Sequence, residues 1–165
     1  MEKPRIFLDT DVLINWIAKE VDKNSGFKLW ICPYEIMRLV ETKKVTAFTA
    51  MTNVFEIRFV LRRKMKYSEA KIKGFINDVY SNVSIEIPDS MDLLSANKLQ
   101  EDYPLDPFDA IGLSIIQSID SVSLVSRDSD FMQLAESINT GTHTPEKFLQ
   151  EYFPQIYNKI KTEMF

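Results

Sequence analysis

The chain has 165 residues, is 45% hydrophobic and 27% charged, and contains 4 Gly and 7 Pro. That length and composition argue for one domain over residues 1–165 with a full core, and against a disordered or fibrous chain. A lone cysteine, Cys32, excludes an internal disulfide, and with a lone His143 it also excludes zinc held on clustered Cys and His. Any metal must rest on oxygen ligands. The apolar run Ile6 to Leu8 is too short for the core of a signal peptide, and no segment approaches the roughly 18 apolar residues that span a bilayer. The expected location is the cytoplasm, with no membrane partner.

The formal charge of −4 argues against a protein that coats nucleic acid through overall positive charge, but says nothing of local patches. Between Arg58 and Lys73 lie Arg58, Arg62, Arg63, Lys64, Lys66, Lys71 and Lys73 against one acid, Glu69. That segment reads either as a phosphate-contacting surface or as the solvated face of a helix.

In chain order, Arg5 to Leu8 reads as a short buried strand, Asp9-Thr10-Asp11 as a polar turn, and Val12 to Ile17 as an amphipathic helix. Asp22 to Gly26 is a turn, and Glu35 to Thr42 has helical spacing. Val45 to Thr49 suits a second strand, followed by a helix over Asn53 to Lys64. Ser68 is placed to cap the next helix, Val83 to Ile87 alternates as a strand does, and Met91 to Gln100 suits a further helix. Asp106-Pro107 opens a helix over Phe108 to Ile119, with Asp106 as N-cap and proline at the first helical position. Val122 to Val125 reads as a buried strand. Phe131 to Glu136 suits a short helix, and Pro145 to Tyr157 one helical tail. Strands alternating with helices predict an α/β fold with a central parallel sheet covered on both faces and a site beyond the carboxyl ends of the strands.

Two apolar runs end in acids at that edge, at Phe7-Leu8-Asp9 and at Leu124-Val125-Ser126-Arg127-Asp128-Ser129-Asp130. Asp109 lies in the first turn of the helix before the second of these strands, and Glu56 one turn into the helix after the Val45 strand. Carboxylates about 4 Å apart at an effective dielectric near 20 repel by roughly 4 kcal/mol per pair, so such a cluster calls for a cation or protons. Mg²⁺ or Mn²⁺, hard cations that prefer oxygen, fit that need. Each acid also has a plainer reading. Asp9 and Asp128 would cap helices, Asp109 would favour a helix dipole, and Glu56 would be a solvated helix former.

The segments Phe7-Leu8-Asp9-Thr10-Asp11-Val12-Leu13-Ile14, Thr52-Asn53-Val54-Phe55-Glu56-Ile57, Pro107-Phe108-Asp109-Ala110-Ile111 and Leu124-Val125-Ser126-Arg127-Asp128-Ser129-Asp130-Phe131 resemble, in order and spacing, the motifs of PIN-domain nucleases. The style is that of the ribonuclease toxins of VapBC toxin–antitoxin pairs, although Asp11 stands where the family commonly carries Asn. The resemblance implies a three-layer α/β/α sandwich and Mg²⁺- or Mn²⁺-dependent endoribonuclease activity. It further implies homodimers and, for toxins, an antitoxin that blocks the site. Under it, Asp9, Glu56, Asp109 and Asp128 are the catalytic acids, and Asp9, Asp109, Asp128 and the accessory Asp130 the metal ligands. Thr10 or Ser126 is the family's small polar residue. RNA would be drawn in by Arg58, Arg62, Arg63 and Arg127. Phe7 to Val12 is also similar to the nucleophile motif of haloacid-dehalogenase-like phosphatases, with Asp9 attacking phosphorus and Asp11 as acid/base, but that reading leaves Glu56 and Asp109 without a role. A third reading is a PIN-like binding module without catalysis. His143 reads as a loop residue, Cys32 as a buried small hydrophobe, and Trp16, Phe27, Trp30 and Tyr34 as mostly core.

Overall fold

The computed structural model describes residues 3–165. Its strands are β1 (Arg5–Leu8), β2 (Thr46–Ala50), β3 (Ser84–Glu86), β4 (Val122–Val125) and β5 (Thr142–His143). They pair in parallel throughout, in the order β3-β2-β1-β4-β5. The helices between and after them are α1 (Thr10–Ala18), α2 (Ile31–Glu41), α3 (Met51–Arg63), α4 (Glu69–Asn82), α5 (Ser90–Asp102), α6 (Pro107–Ser118), α7 (Ser129–Ser137), α8 (Pro145–Tyr152) and α9 (Pro154–Ile160).

Successive strand side chains point to opposite faces, and this two-residue period divides the core. Ile6 and Leu8 of β1 join Ala47 and Val125 in a cluster with the apolar faces of α1 to α4 and α8. Phe7 turns the other way, with Phe48 and Leu124, against Leu113 and Ile116 of α6 and Phe131 of α7. Both faces of the sheet are thus covered, and the result is a three-layer α/β/α sandwich. Phe7 and Leu8 are fully buried on opposite sides, each contributing roughly 2–3 kcal/mol of apolar burial.

From central β1 the chain steps outward through β2 and β3, then crosses back to place β4 on the other side of β1. The connections therefore diverge between β1 and β4, which opens a crevice above their carboxyl ends.

Three elements differ from the sequence reading. Helix α2 starts at Ile31 rather than Glu35, because Pro33 falls within the first turn, where a missing N–H breaks no intrahelical bond. The tail forms two helices rather than one, broken at Phe153 with Pro154 opening α9. The short β5, paired with Leu124 and Val125, was read as loop because two residues carry no periodicity. His143 therefore lies in a strand, and its Nε2 is 3.0 Å from Glu151 Oε2. The expected turn is present, with Gly26 at φ 75° and its N–H donating to the Asp22 carbonyl at 2.8 Å.

Candidate active site at the carboxyl edge of the sheet

β1 hands directly to α1 through Asp9, an extended residue that caps the helix and accepts from the Thr10 N–H at 2.7 Å through Oδ1. Its other oxygen accepts from Ser126 Oγ at 2.7 Å. Ser126 is the first residue past β4 and fully buried, and its Oγ also accepts from the Asp128 N–H at 3.0 Å. Asp128 caps α7, accepting from the N–H groups of Asp130 and Phe131 at 3.0 Å each. The two strand-end acids are thus both helix caps, the plainer reading of each, and they are tied together through one buried hydroxyl.

A second tie fixes α3. Asn53 Nδ2 donates to Thr10 Oγ1 at 2.9 Å, and Asn53 Oδ1 accepts from the Ala50 N–H at 3.3 Å. This locks the start of α3 to the end of β1 and carries Glu56, almost one turn further on, to the same crevice, where the Thr10 hydroxyl pulls its carboxyl downwards. Asp109 arrives from α6, whose N-cap Asp106 accepts from the Phe108 N–H at 2.8 Å.

Asp9, Glu56, Asp109 and Asp128 line one cavity of about 1070 Å³. An adjoining hollow of about 430 Å³ shares Asp106, Asp109 and Asp128 with it and is lined also by Asp130. Asp130 therefore stands beside the main cavity rather than in it. A separate cavity of about 650 Å³ lies at the opposite end of the strands, near Lys3, Ser121 and Asn139. It contains none of these acids, and the topology directs chemistry to the carboxyl end.

Burial is the leading electrostatic effect in the crevice. It raises the Asp9 carboxyl above its ordinary range against the pull of the Ser126 and Thr10 hydrogen bonds, and Asp128 pushes it further up. Asp109 is pushed up to about 7, first by burial and then by Asp9, Asp106, Asp128 and Glu56. Glu56 is likewise raised to about 7 by burial, Asp9 and Asp106. No cationic side chain figures among the causes at these three sites. Among the described residues, no three Asp, Glu, His or Cys side chains stand close enough together to hold a metal ion as they are placed. The donor set nevertheless suits a hard divalent cation, because it consists of carboxylate oxygens whose mutual repulsion such a charge would relieve.

Arg127 corrects the sequence reading. Its Nε donates to Asn15 Oδ1 at 2.7 Å, its Nη1 and Nη2 donate to Glu146 at 2.8 and 2.6 Å, and Nη2 also donates to the Leu29 carbonyl at 3.0 Å. The side chains of Arg127 and Glu146 are each only 18% exposed. With four of its five N–H donors taken up inside the protein, Arg127 is a strut between elements rather than a free cation for RNA. Its backbone N–H donates to Asp11 Oδ2 at 2.9 Å, which ties Asp11 to the same segment. Burial and Asp9 raise the Asp11 carboxyl to about 7, against the pull of Arg127.

The basic segment divides in two. Glu69 occupies Arg62 at 2.5 Å and Arg58 at 3.7 Å, with Glu69 and Arg62 exposed and Arg58 half-buried. Arg63 and Lys64 are exposed, and among the described residues neither has an ion-pair partner. Lys64 lines the acidic cavity. The sequence reading passed over Asn53, whose signal was its place three residues after the strand end. It treated Asp106 only as a cap, although the i, i+3 spacing sets it on the same helix face as Asp109. It also passed over the rings of Phe55, Phe59 and Phe108 on the cavity wall.

Fold and site together define a three-layer α/β/α protein with an acid-lined crevice at its topological switch point. A family model described as PIN domain matches residues 6–137, most of the chain. The protein belongs to the PIN-domain family. Among solved structures, a toxin–antitoxin complex from Klebsiella pneumoniae matches with a TM-score of 0.60 at 15% identity, over 85% of this chain and 97% of that one. The crystal structure of VapBC2 from Rickettsia felis, bound to a DNA fragment from their promoter, matches with a TM-score of 0.61 at 15% identity, over 85% of this chain and 98% of that one. At that identity the likeness concerns the fold. No curated protein matches the sequence.

Proposed function

We propose that this PIN-family chain is an Mg²⁺- or Mn²⁺-dependent endoribonuclease, of the kind that serves as the toxin in a VapBC-type pair. The observation that carries the reading is the convergence of Asp9, Glu56, Asp109 and Asp128 on one cavity, with Glu56 and Asp109 both raised by burial and by the charges of Asp9 and Asp106. Asp9, Asp109 and Asp128 would hold the cation, with Asp130 as an accessory acid beside the cavity. Once bound, the cation lowers the pKa of water and stabilises charge on the phosphoryl oxygens. Glu56, with its carboxyl raised to about 7, orients the attacking water and takes its proton. Attack on phosphorus with loss of the 3′ oxygen leaves a 5′-phosphate and a 3′-hydroxyl. Arg63 and Lys64 at the end of α3 draw the RNA backbone towards the cavity, and Arg58 and Arg62 join them where the phosphates displace Glu69.

An antitoxin, a homodimer and a cytoplasmic location belong to the same reading. Two of the similar folds come from toxin–antitoxin complexes, and no helix among the described residues is long and apolar enough to cross a membrane. The phosphatase reading is set aside, because the family match is to the PIN domain and Asp11 is engaged by Arg127.

The test is cleavage of structured and single-stranded RNAs, with matched DNAs, by purified protein in Mg²⁺ or Mn²⁺, beside Asp109→Asn and an EDTA control. Cuts in RNA that need the metal and disappear in the variant are the expected result. Full activity in Asp109→Asn, or in EDTA, would sink the assignment. RNA binding that needs no metal and leads to no cut would instead favour a non-catalytic binding module.

A further inference from the structure

The wall of the acidic cavity is not all acidic. On α3, Phe55 and Phe59 flank Glu56 and are each 59% exposed, and Phe108, at the start of α6, is 41% exposed. All three rings line the same cavity as Asp9, Glu56, Asp109 and Asp128. Other exposed apolar residues, such as Met91 and Leu94 on α5, lie away from it. Phe55 and Phe59 are spaced i, i+4 and so stand one above the other on the helix surface. Among the described residues, neither ring nor Phe108 pairs with another aromatic, whereas Phe27, Trp30, Tyr67 and Phe148 all do. Each ring thus leaves a large part of its apolar face in water.

The occupant must suit three features together: flat apolar faces, exposed cations on the same helix at Arg63 and Lys64, and carboxylates within the same cavity. A polyanion that carries flat aromatic groups on a flexible backbone meets all three. A volume of about 1070 Å³ is at the upper end of the space that accommodates a drug-sized ligand, enough for a short stretch of single strand. Base stacking on protein aromatics is tolerant of sequence and needs an unpaired base.

We infer that Phe55, Phe59 and Phe108 form a stacking ledge that positions unpaired nucleobases next to the scissile phosphate. This inference rests on the nuclease reading. The ledge binds and the acids cut, so its loss raises KM and leaves kcat nearly unchanged.

Binding of fluorescein-labelled oligoadenylate, and of an abasic ribose-phosphate chain of equal length, is measured by anisotropy in Mg²⁺ for the wild type, Phe55→Ala, Phe59→Ala, Phe55→Leu and Phe55→Trp. Cleavage of cellular RNA in Mn²⁺ is followed in parallel. Wild type is expected to prefer oligoadenylate. Each alanine variant should weaken that binding about tenfold, in line with stacking on one ring, and leave abasic binding unchanged. Tryptophan should restore the affinity and leucine should not, which separates a π-face from mere apolar area. Because both rings are exposed, the alanine variants retain the fold.

Equal wild-type affinity for the two chains would overturn the ledge. So would alanine variants that bind oligoadenylate normally but sediment differently from wild type, because the rings would then belong to a contact between copies. Cleavage of cellular RNA with no oligoadenylate binding overturns the ledge alone. Absence of both cleavage and binding removes the nuclease reading with it.

Discussion

Asp109 illustrates how a single residue sets the character of the site. Burial and four neighbouring acids raise its carboxyl to about 7, so the folded protein accommodates its charge poorly. Asp109→Asn should therefore abolish cleavage and at the same time stabilise the metal-free fold by about 1 kcal/mol, a rise in Tm of roughly 2–4 °C for a domain of this size. A thermal melt beside the activity assay checks both. The same charges predict a pH dependence. Folded pKa values near 7 for Asp109 and Glu56, above ordinary values of 3.8 and 4.5, mean that their contribution to stability is fully present below about pH 4. It is lost as pH rises towards 7. Mg²⁺ should offset that loss, so it should raise Tm clearly more at pH 8 than at pH 5. An equal rise at both would count against carboxylate ligation. Arg127 makes the opposite case. Its removal in Arg127→Met leaves Glu146 buried without its cation and should cost about 3 kcal/mol, measurable by urea denaturation. Sequence alone showed Arg127 as one more cation beside an acid, because nothing local reveals that Glu146, Asn15 and Leu29 close around it.

At the scale of elements, the site is assembled by helix starts. Asp9, Asp106 and Asp128 cap α1, α6 and α7, so the caps that begin these helices also point acids at one crevice. Capping and charge can be separated at Asp106. Asn caps as well as Asp, whereas Ala does not. Asp106→Ala should cost about 1 kcal/mol of stability, while Asp106→Asn should cost little and should lower the pH at which Asp109 and Glu56 titrate, because one repelling charge is gone. NMR titration of the carboxyl carbons checks the second point. Most of these helices were legible from caps and apolar spacing, including Ser68 before α4 and Asp106-Pro107 before α6. The early start of α2 and the break at Phe153 were not, because a proline in a first turn and a proline after a helix look alike until the flanking backbone is placed.

At the scale of the molecule, a net charge of −4 coexists with a basic surface on α3 and an acidic crevice beside it. For the proposed ribonuclease, attraction of RNA would then depend on local contacts, and KM for RNA should rise as salt is added while kcat changes little. A salt series at fixed Mn²⁺ tests this. Indifference to salt would mean that the α3 cations do not touch the backbone.

By itself the sequence determined the layered α/β architecture and the acids at the carboxyl edge. Both rest on local rules: the period of apolar residues, the chemistry of caps, and the placing of acids where strands end. Only the tertiary structure decided which charges are free. It turned Arg127 inward, gave Asp11 a structural partner, and set Asp130 beside the main cavity. It also tied Thr10 to Asn53 across 43 positions and brought three exposed rings to the rim of the crevice. Each of these depends on contacts between residues distant in the chain, which periodicity and spacing do not encode.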